Sequence, residues 1–273
     1  MMLPDLRPLL NLTGDRLRAL PMMIVYLTDG CNSRCVTCDI WKLPRRNMSL
    51  ALAEKLASEF RVLGVRRVIM SGGEAMQHPD WPRIAQIFHA SGAGVELLTN
   101  GLLLNKQARE VIECVDQLIV SLDGGVPETY EAIRGVDGFN VILSGLRKCA
   151  NAGIPITTRT TIQHGNFREL PLIIDAARSA GVRRVSFLAV DISSTEAFGP
   201  RYAAELDPAP SILPFHSPPS PALTLNDLPE FSAVLDRLER DYAVDFASGL
   251  IAESPAKLRR LYDYFAALHG ESN

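Results

Sequence analysis

Between residues 21 and 190 the chain alternates short apolar runs with longer amphipathic ones, and that alternation limits the fold more than any other feature. Runs rich in Val, Ile, Leu, Met and Thr predict strands over 22–27, 67–70, 95–98, 117–121, 156–162 and 185–189. Segments with helical spacing separate them: 50–63 behind the capping Ser49, 81–91, 106–114, 139–152 and 170–180. Two of these helices run out at a glycine just before the next strand, at Gly153 and Gly181. Strands joined through helices imply parallel β/α units. Wound right-handed, six such units give an α/β fold, a partial (β/α)6 TIM-like barrel. A doubly wound open sheet is the alternative topology for the same pattern.

The pattern breaks after Val190. Residues 200–229 hold eight of the eighteen prolines, a density that strand and helix interiors exclude, so 196–230 reads as an extended connector or lid. Two helices follow, over 227–242 and 255–268. The chain thus divides into an N-terminal extension (1–20), a barrel core (21–195), the connector (196–230) and a C-terminal helical segment (231–273). Proline, glycine and charge break up the extension, which reads as a short helix across the barrel mouth, with a weak membrane-surface contact as the alternative. The sequence contains no apolar run long enough to span a membrane. A net charge of −3 leaves no electrostatic footprint for nucleic acid. Five cysteines without an export signal point to the reducing cytoplasm.

The first strand leads directly into DGCNSRCVTCDIW, where Cys31, Cys35 and Cys38 are spaced C-x3-C-x2-C. Three thiolates this close together suffice for three corners of a [4Fe–4S] cluster, and no fourth cysteine lies nearby for the last iron. An iron with a vacant position binds a cofactor or substrate directly. Structural zinc wants four closed ligands, and the nearest histidine, His78, is far along the chain. A disulfide would leave one of the three thiols over. Cys114 and Cys149 fall in helical patterns and read as small buried residues.

On a β/α barrel the residues that end each strand gather at one face and carry the chemistry. Strand two ends in SGGE, with Gly72, Gly73 and Glu74: glycines that allow close backbone approach and a carboxylate suited to an ammonium group. Strand three ends in Thr99, Asn100 and Gly101. Strand four ends in VSLDGG, where Ser121 and Asp123 share a face and suit ribose hydroxyls or substrate; a plain Asp-Gly turn is the alternative for Asp123. Arg134 follows in YEAIRG. Strand five carries Arg159 among β-branched residues, facing either the barrel interior or a helix. Arg159, His164 and Asp191, which end strands five and six, are the candidates for contact with the reacting substrate. For His164 and Asp191 a loop histidine and a helix cap are the plainer readings.

The order CNSRCVTC, SGGE, VSLDG and IRG over residues 20–190 resembles the radical S-adenosylmethionine superfamily, in its branch of cofactor- and peptide-maturing enzymes. The resemblance implies a [4Fe–4S] cluster on Cys31, Cys35 and Cys38 whose free iron chelates S-adenosylmethionine. It implies that Gly72, Gly73 and Glu74 hold the amino group of that cofactor, Ser121 its ribose and Arg134 its carboxylate, with Asn100 and Asp123 in the same pocket. It further implies reductive cleavage to a 5′-deoxyadenosyl radical, an external one-electron donor such as flavodoxin or ferredoxin, and a peptide or small-metabolite substrate. The chain departs from the pattern at Thr37, where an aromatic residue often packs on adenine, and at Ala75, commonly proline. Many members of the branch continue into a cysteine-rich domain with auxiliary clusters. No cysteine follows Cys149, so the chain either uses one cluster or is cut short of such a domain. A simple iron–sulfur redox protein, and a degenerate member acting as a scaffold, are the competing functions.

Overall fold

The computed structural model describes residues 7–192 and 220–271. One sheet contains six strands in the order β1-β2-β3-β4-β5-β6: Met22–Thr28, Arg67–Gly72, Gly94–Thr99, Gln117–Ser121, Ile156–Ile162 and Arg184–Ala189. Every neighbouring pair is parallel. Because spatial order equals chain order, each crossover steps one strand further in the same direction. All connecting helices therefore lie on one face, and the sheet coils into an open, partial barrel. A doubly wound sheet would reverse direction once; this one does not.

The connecting helices are α1 (Leu50–Leu63), α2 (Trp81–Ala90), α3 (Ala108–Cys114), α4 (Pro127–Arg134), α5 (Phe139–Asn151) and α6 (Leu170–Ser179). The core lies between them and the outer face of the sheet, where Leu27, Val68, Val95, Leu118, Val185 and Phe187 are fully buried. The inner face differs. Met22, Ile24 and Tyr26 on β1 and Leu188 on β6 are 41–57% exposed, because among the described residues no strand closes the gap between the two edges. Helix α4 lies in a stretch that periodicity leaves blank. It has only eight residues, started by Pro127 at its first position and stopped by Gly135 in the left-handed region, too short for a repeating apolar stripe.

The C-terminal segment forms α7 (Leu228–Asp241), the short α8 (Ala243–Ser248) and α9 (Pro255–Ala267), so the helix expected over 227–242 ends close to its predicted end. Between α8 and α9 the chain runs beside β6. Val185 N–H donates to the Leu250 carbonyl and Ala252 N–H to that of Val185, which partly covers the open edge of the sheet. Of the proline-rich connector, 196–219 lies outside the described residues, as does 1–6 of the extension. The rest of the extension makes a 3₁₀ turn, Arg7–Leu12, tied to Ala19 through the Asn11 side chain. It sits where β1 begins, at the opposite end of the strand from the cysteine loop.

His164, just past β5, belongs to this docking. Its Nδ1 is 2.8 Å from Asp227 Oδ2, and the same carboxylate accepts from the amide and hydroxyl of Thr224. Burial pushes the Asp227 carboxyl up, but the Thr224 bonds and the His164 ring outweigh it and hold it at about 2. A carboxyl depressed on folding stabilises the folded state above its unfolded pKa, about 4, and loses that contribution as pH falls from there towards 2. Asp227→Asn is therefore expected to cost about 1–2 kcal/mol at neutral pH, and the gap from the parent to shrink between pH 4 and 2 in urea unfolding. A constant gap across that interval would contradict the assignment.

Candidate active site

The C-terminal ends of the strands converge on a cavity of about 450 Å³, a volume ordinary for a small-molecule site. The cysteine loop forms one wall with Cys31, Cys35 and Cys38. The ends of β2, β3 and β4 contribute Gly72, Gly73, Asn100 and Ser121, α4 contributes Arg134, and Leu188–Asp191 close the far side. None of the three cysteines is in a disulfide.

Bonds from several elements hold the cysteine loop in shape. At its start, Gly30 N–H donates to Thr28 Oγ1 at 3.0 Å. In the middle, Asn100 reaches across from β3 with its Nδ2 2.7 Å from Asn32 Oδ1 and 3.0 Å from Ser33 Oγ. The amides of Arg34 and Val36 donate to the carbonyls of Arg134 and Ile133, both at 2.9 Å. Those carbonyls end α4 and have no partner within the helix, so helix end and loop satisfy each other. Gly135 permits this approach: its φ is +68°, and a Cβ there would lie 2.5 Å from the Arg34 carbonyl oxygen. After Cys38, Trp41 Nε1 donates back to the Cys38 carbonyl at 2.8 Å. Burial raises the Cys31 thiol pKa, against the Ser33 amide and with help from Glu74 and Cys35.

The paired glycines pack backbone on backbone. A Cβ on Gly73 would lie 2.5 Å from the Gly30 carbonyl oxygen, and the amides of Gly73 and Glu74 donate to Thr28 and Gly30, each at 2.8 Å. Those N–H groups are used within the protein. Glu74 stands behind the wall rather than in it. Its carboxylate is 1% exposed and accepts from Thr99 Oγ1, Met76 N–H and Asn100 N–H at 2.7–3.0 Å, which leaves it bracing the end of β2 against β3. Burial pushes this carboxyl up against those three donors.

Asp123 is likewise buried and turned to the protein, accepting from Thr161 N–H at 2.7 Å and from Arg134 Nη1 at 3.0 Å. Burial works against the Arg134 charge, but Asp123, Cys35 and Tyr130 outweigh it and hold the guanidinium firmly protonated. Arg134 lines the cavity, and its buried Nε has no partner among the described residues. Of the residues expected to meet substrate, Asp191 lines the cavity, Arg159 lies one register step below the lining Thr161 on the same face, and His164 lies outside it beside Asp227. Tyr26, Thr161 and Trp41 also line the cavity and were not singled out from sequence. Thr161 was legible as the residue two beyond Arg159. Trp41 was legible as the first aromatic after the third cysteine.

This arrangement fits an iron–sulfur cluster with an anionic ligand beside it. Among the described residues no three His, Cys, Asp or Glu side chains converge as one metal ion requires. The unpartnered Arg134 Nε suits an anion beside the three cysteines. The radical SAM superfamily model matches residues 25–177. An AdoMet-dependent heme synthase of Methanosarcina barkeri is 32% identical over 168 residues, which cover 59% of this chain and 48% of that protein. A GTP 3′,8-cyclase of Rhizobium etli is 30% identical over 188 residues, 65% of this chain and 53% of that one. The chain thus spans about half the length of the curated relatives it matches. Streptococcus suis SuiB, solved with its precursor peptide SuiA, shares the fold, with a TM-score of 0.63 at 13% identity over 83% of this chain and 47% of SuiB. With three thiols at the mouth of a six-stranded parallel barrel and a family match over more than half its length, the chain belongs to the radical SAM superfamily.

Proposed function

We infer that this chain is an enzyme that binds a [4Fe–4S] cluster on Cys31, Cys35 and Cys38 and cleaves S-adenosylmethionine reductively at it. The observation that carries the reading is the shared cavity: the three thiols and the partly unsatisfied Arg134 guanidinium face one space. When bound, cluster and cofactor supply one-electron cleavage of a carbon–sulfur bond and a 5′-deoxyadenosyl radical that removes hydrogen from a substrate. The protein supplies position and the exclusion of water. Carbonyls at Gly72 and Gly73 serve the cofactor's ammonium group, since their loop's N–H groups are spent. Arg134 holds its carboxylate and Ser121 its ribose. Asn100, Glu74 and Asp123 keep these groups in place, and Trp41 with Thr37 forms the wall on the purine side.

We place the catalytic core at 21–195, with the connector and C-terminal segment as separate elements. Substrate contacts fall to Arg159 and Asp191, and the substrate is a peptide or small metabolite. Cysteines outside any disulfide and a radical reaction fit a reducing cytoplasm, with a flavodoxin or ferredoxin as electron donor. Among the described residues no helix is long and apolar enough to cross a membrane.

The reading is tested by electron paramagnetic resonance. After anaerobic reconstitution and dithionite reduction, adding S-adenosylmethionine should change the g-values of the cluster signal, because the cofactor binds an iron directly. A spectrum unmoved at saturating cofactor would contradict the open iron.

A further inference from the structure

We propose that Arg159 recognises a carboxylate on the substrate, and that this carboxylate is carried on an apolar body. The proposal rests on the cavity's reading as a radical S-adenosylmethionine site and names the class of molecule it admits. Arg159 pairs in register with Ser121 of β4 and Ser186 of β6. Register partners in a parallel sheet share a face, as do residues two apart along a strand. Ser121 and Thr161 both line the cavity, so the Arg159 side chain is on the inner face with them.

That guanidinium lacks what its neighbours have. Its Nε is buried and without a partner, and among the described residues no carboxylate pairs with it. Three buried acids are engaged elsewhere, and Asp191, which lines the cavity, also has a partner. Glu96 takes Arg67 at 2.6 Å, Asp123 takes Arg134 at 3.0 Å, and Glu253 accepts from Ser186 Oγ at 2.9 Å and Phe187 N–H at 3.0 Å. A half-buried charge left unpaired destabilises the protein that carries it, unless a ligand completes it. Two parallel N–H donors of a guanidinium match a carboxylate. The cavity wall also carries exposed apolar surface: Leu188 is 41% and Tyr26 57% exposed on the inner face. Burying that surface favours a ligand with a hydrocarbon body.

The carboxylate has two possible sources, substrate and S-adenosylmethionine, and one set of titrations separates them. The full chain, reconstituted anaerobically with iron and sulfide, is titrated calorimetrically with octanoate and octanamide, with and without S-adenosylmethionine, and with S-adenosylmethionine alone. Wild type, Arg159→Gln and Arg159→Lys are compared. Octanoate should bind roughly tenfold or more tightly than octanamide. Arg159→Gln should erase that preference, Arg159→Lys should keep part of it, and S-adenosylmethionine affinity should be unchanged in both. The Tm of ligand-free Arg159→Gln should be equal to or above that of wild type, whereas a structural arginine would lower it on removal. Equal binding of the two probes, a preference that survives in Arg159→Gln, a fall in Tm, or a loss of S-adenosylmethionine affinity would each overturn the proposal. A protein that discriminates octanoate but never binds S-adenosylmethionine would keep the carboxylate site and overturn the cofactor reading instead.

Discussion

Cys31→Ala, Cys35→Ala and Cys38→Ala are each expected to reduce reconstituted iron to near zero or leave a defective cluster, while Cys114→Ala and Cys149→Ala keep wild-type iron. The contrast follows from where the thiols lie. The first three line one cavity, in a loop whose backbone is already bonded into shape. Cys114 and Cys149 are 2% and 0% exposed on α3 and α5, in the core between helices and sheet. Burial, only partly offset by Lys148, pushes the Cys149 thiol up to about 11, which keeps it protonated and a poor ligand. Iron and acid-labile sulfide per chain measure the outcome. If Cys114→Ala lost iron as Cys31→Ala does, the loop assignment would be wrong.

Arg134→Ala should damage both fold and cofactor binding. The side chains of Arg134 and Asp123 are only 14% and 4% exposed, so removing the guanidinium strands a buried carboxylate. Breaking a buried pair in this way costs about 3–5 kcal/mol. Cofactor affinity should fall roughly tenfold to a hundredfold, the worth of a lost charge-assisted hydrogen bond. The two losses separate in a double variant. Arg134→Met with Asp123→Leu should recover much of the stability, because no charge is left unpaired, yet none of the affinity. Urea unfolding and equilibrium dialysis with S-adenosylmethionine read the two quantities. Recovery of affinity in the double variant would remove Arg134 from the cofactor's carboxylate.

The strand ends were legible because β/α alternation is local and each strand is a short apolar run. The cysteine loop was legible because its three cysteines sit within eight residues of one another. What escaped depends on partners distant in sequence. Glu74 looks like a cofactor ligand until Thr99 and Asn100, on the next strand, are seen to satisfy its carboxylate. The part Arg134 plays in shaping the cysteine loop comes through backbone carbonyls at the end of α4, which carry no sequence signal. His164 looked like a substrate contact because it ends β5, yet the partner that claims it, Asp227, is 63 residues on. The face that Arg159 occupies is a matter of register, which alternation within one strand leaves open.

The central claim is that the cavity cleaves S-adenosylmethionine reductively. Anaerobically reconstituted protein, given dithionite and S-adenosylmethionine, is therefore assayed by liquid chromatography and mass spectrometry for 5′-deoxyadenosine and methionine. The account predicts slow formation of both in equal amounts, dependent on reductant and absent in Cys35→Ala. A fully loaded, reducible cluster that binds the cofactor and yields no 5′-deoxyadenosine would contradict it.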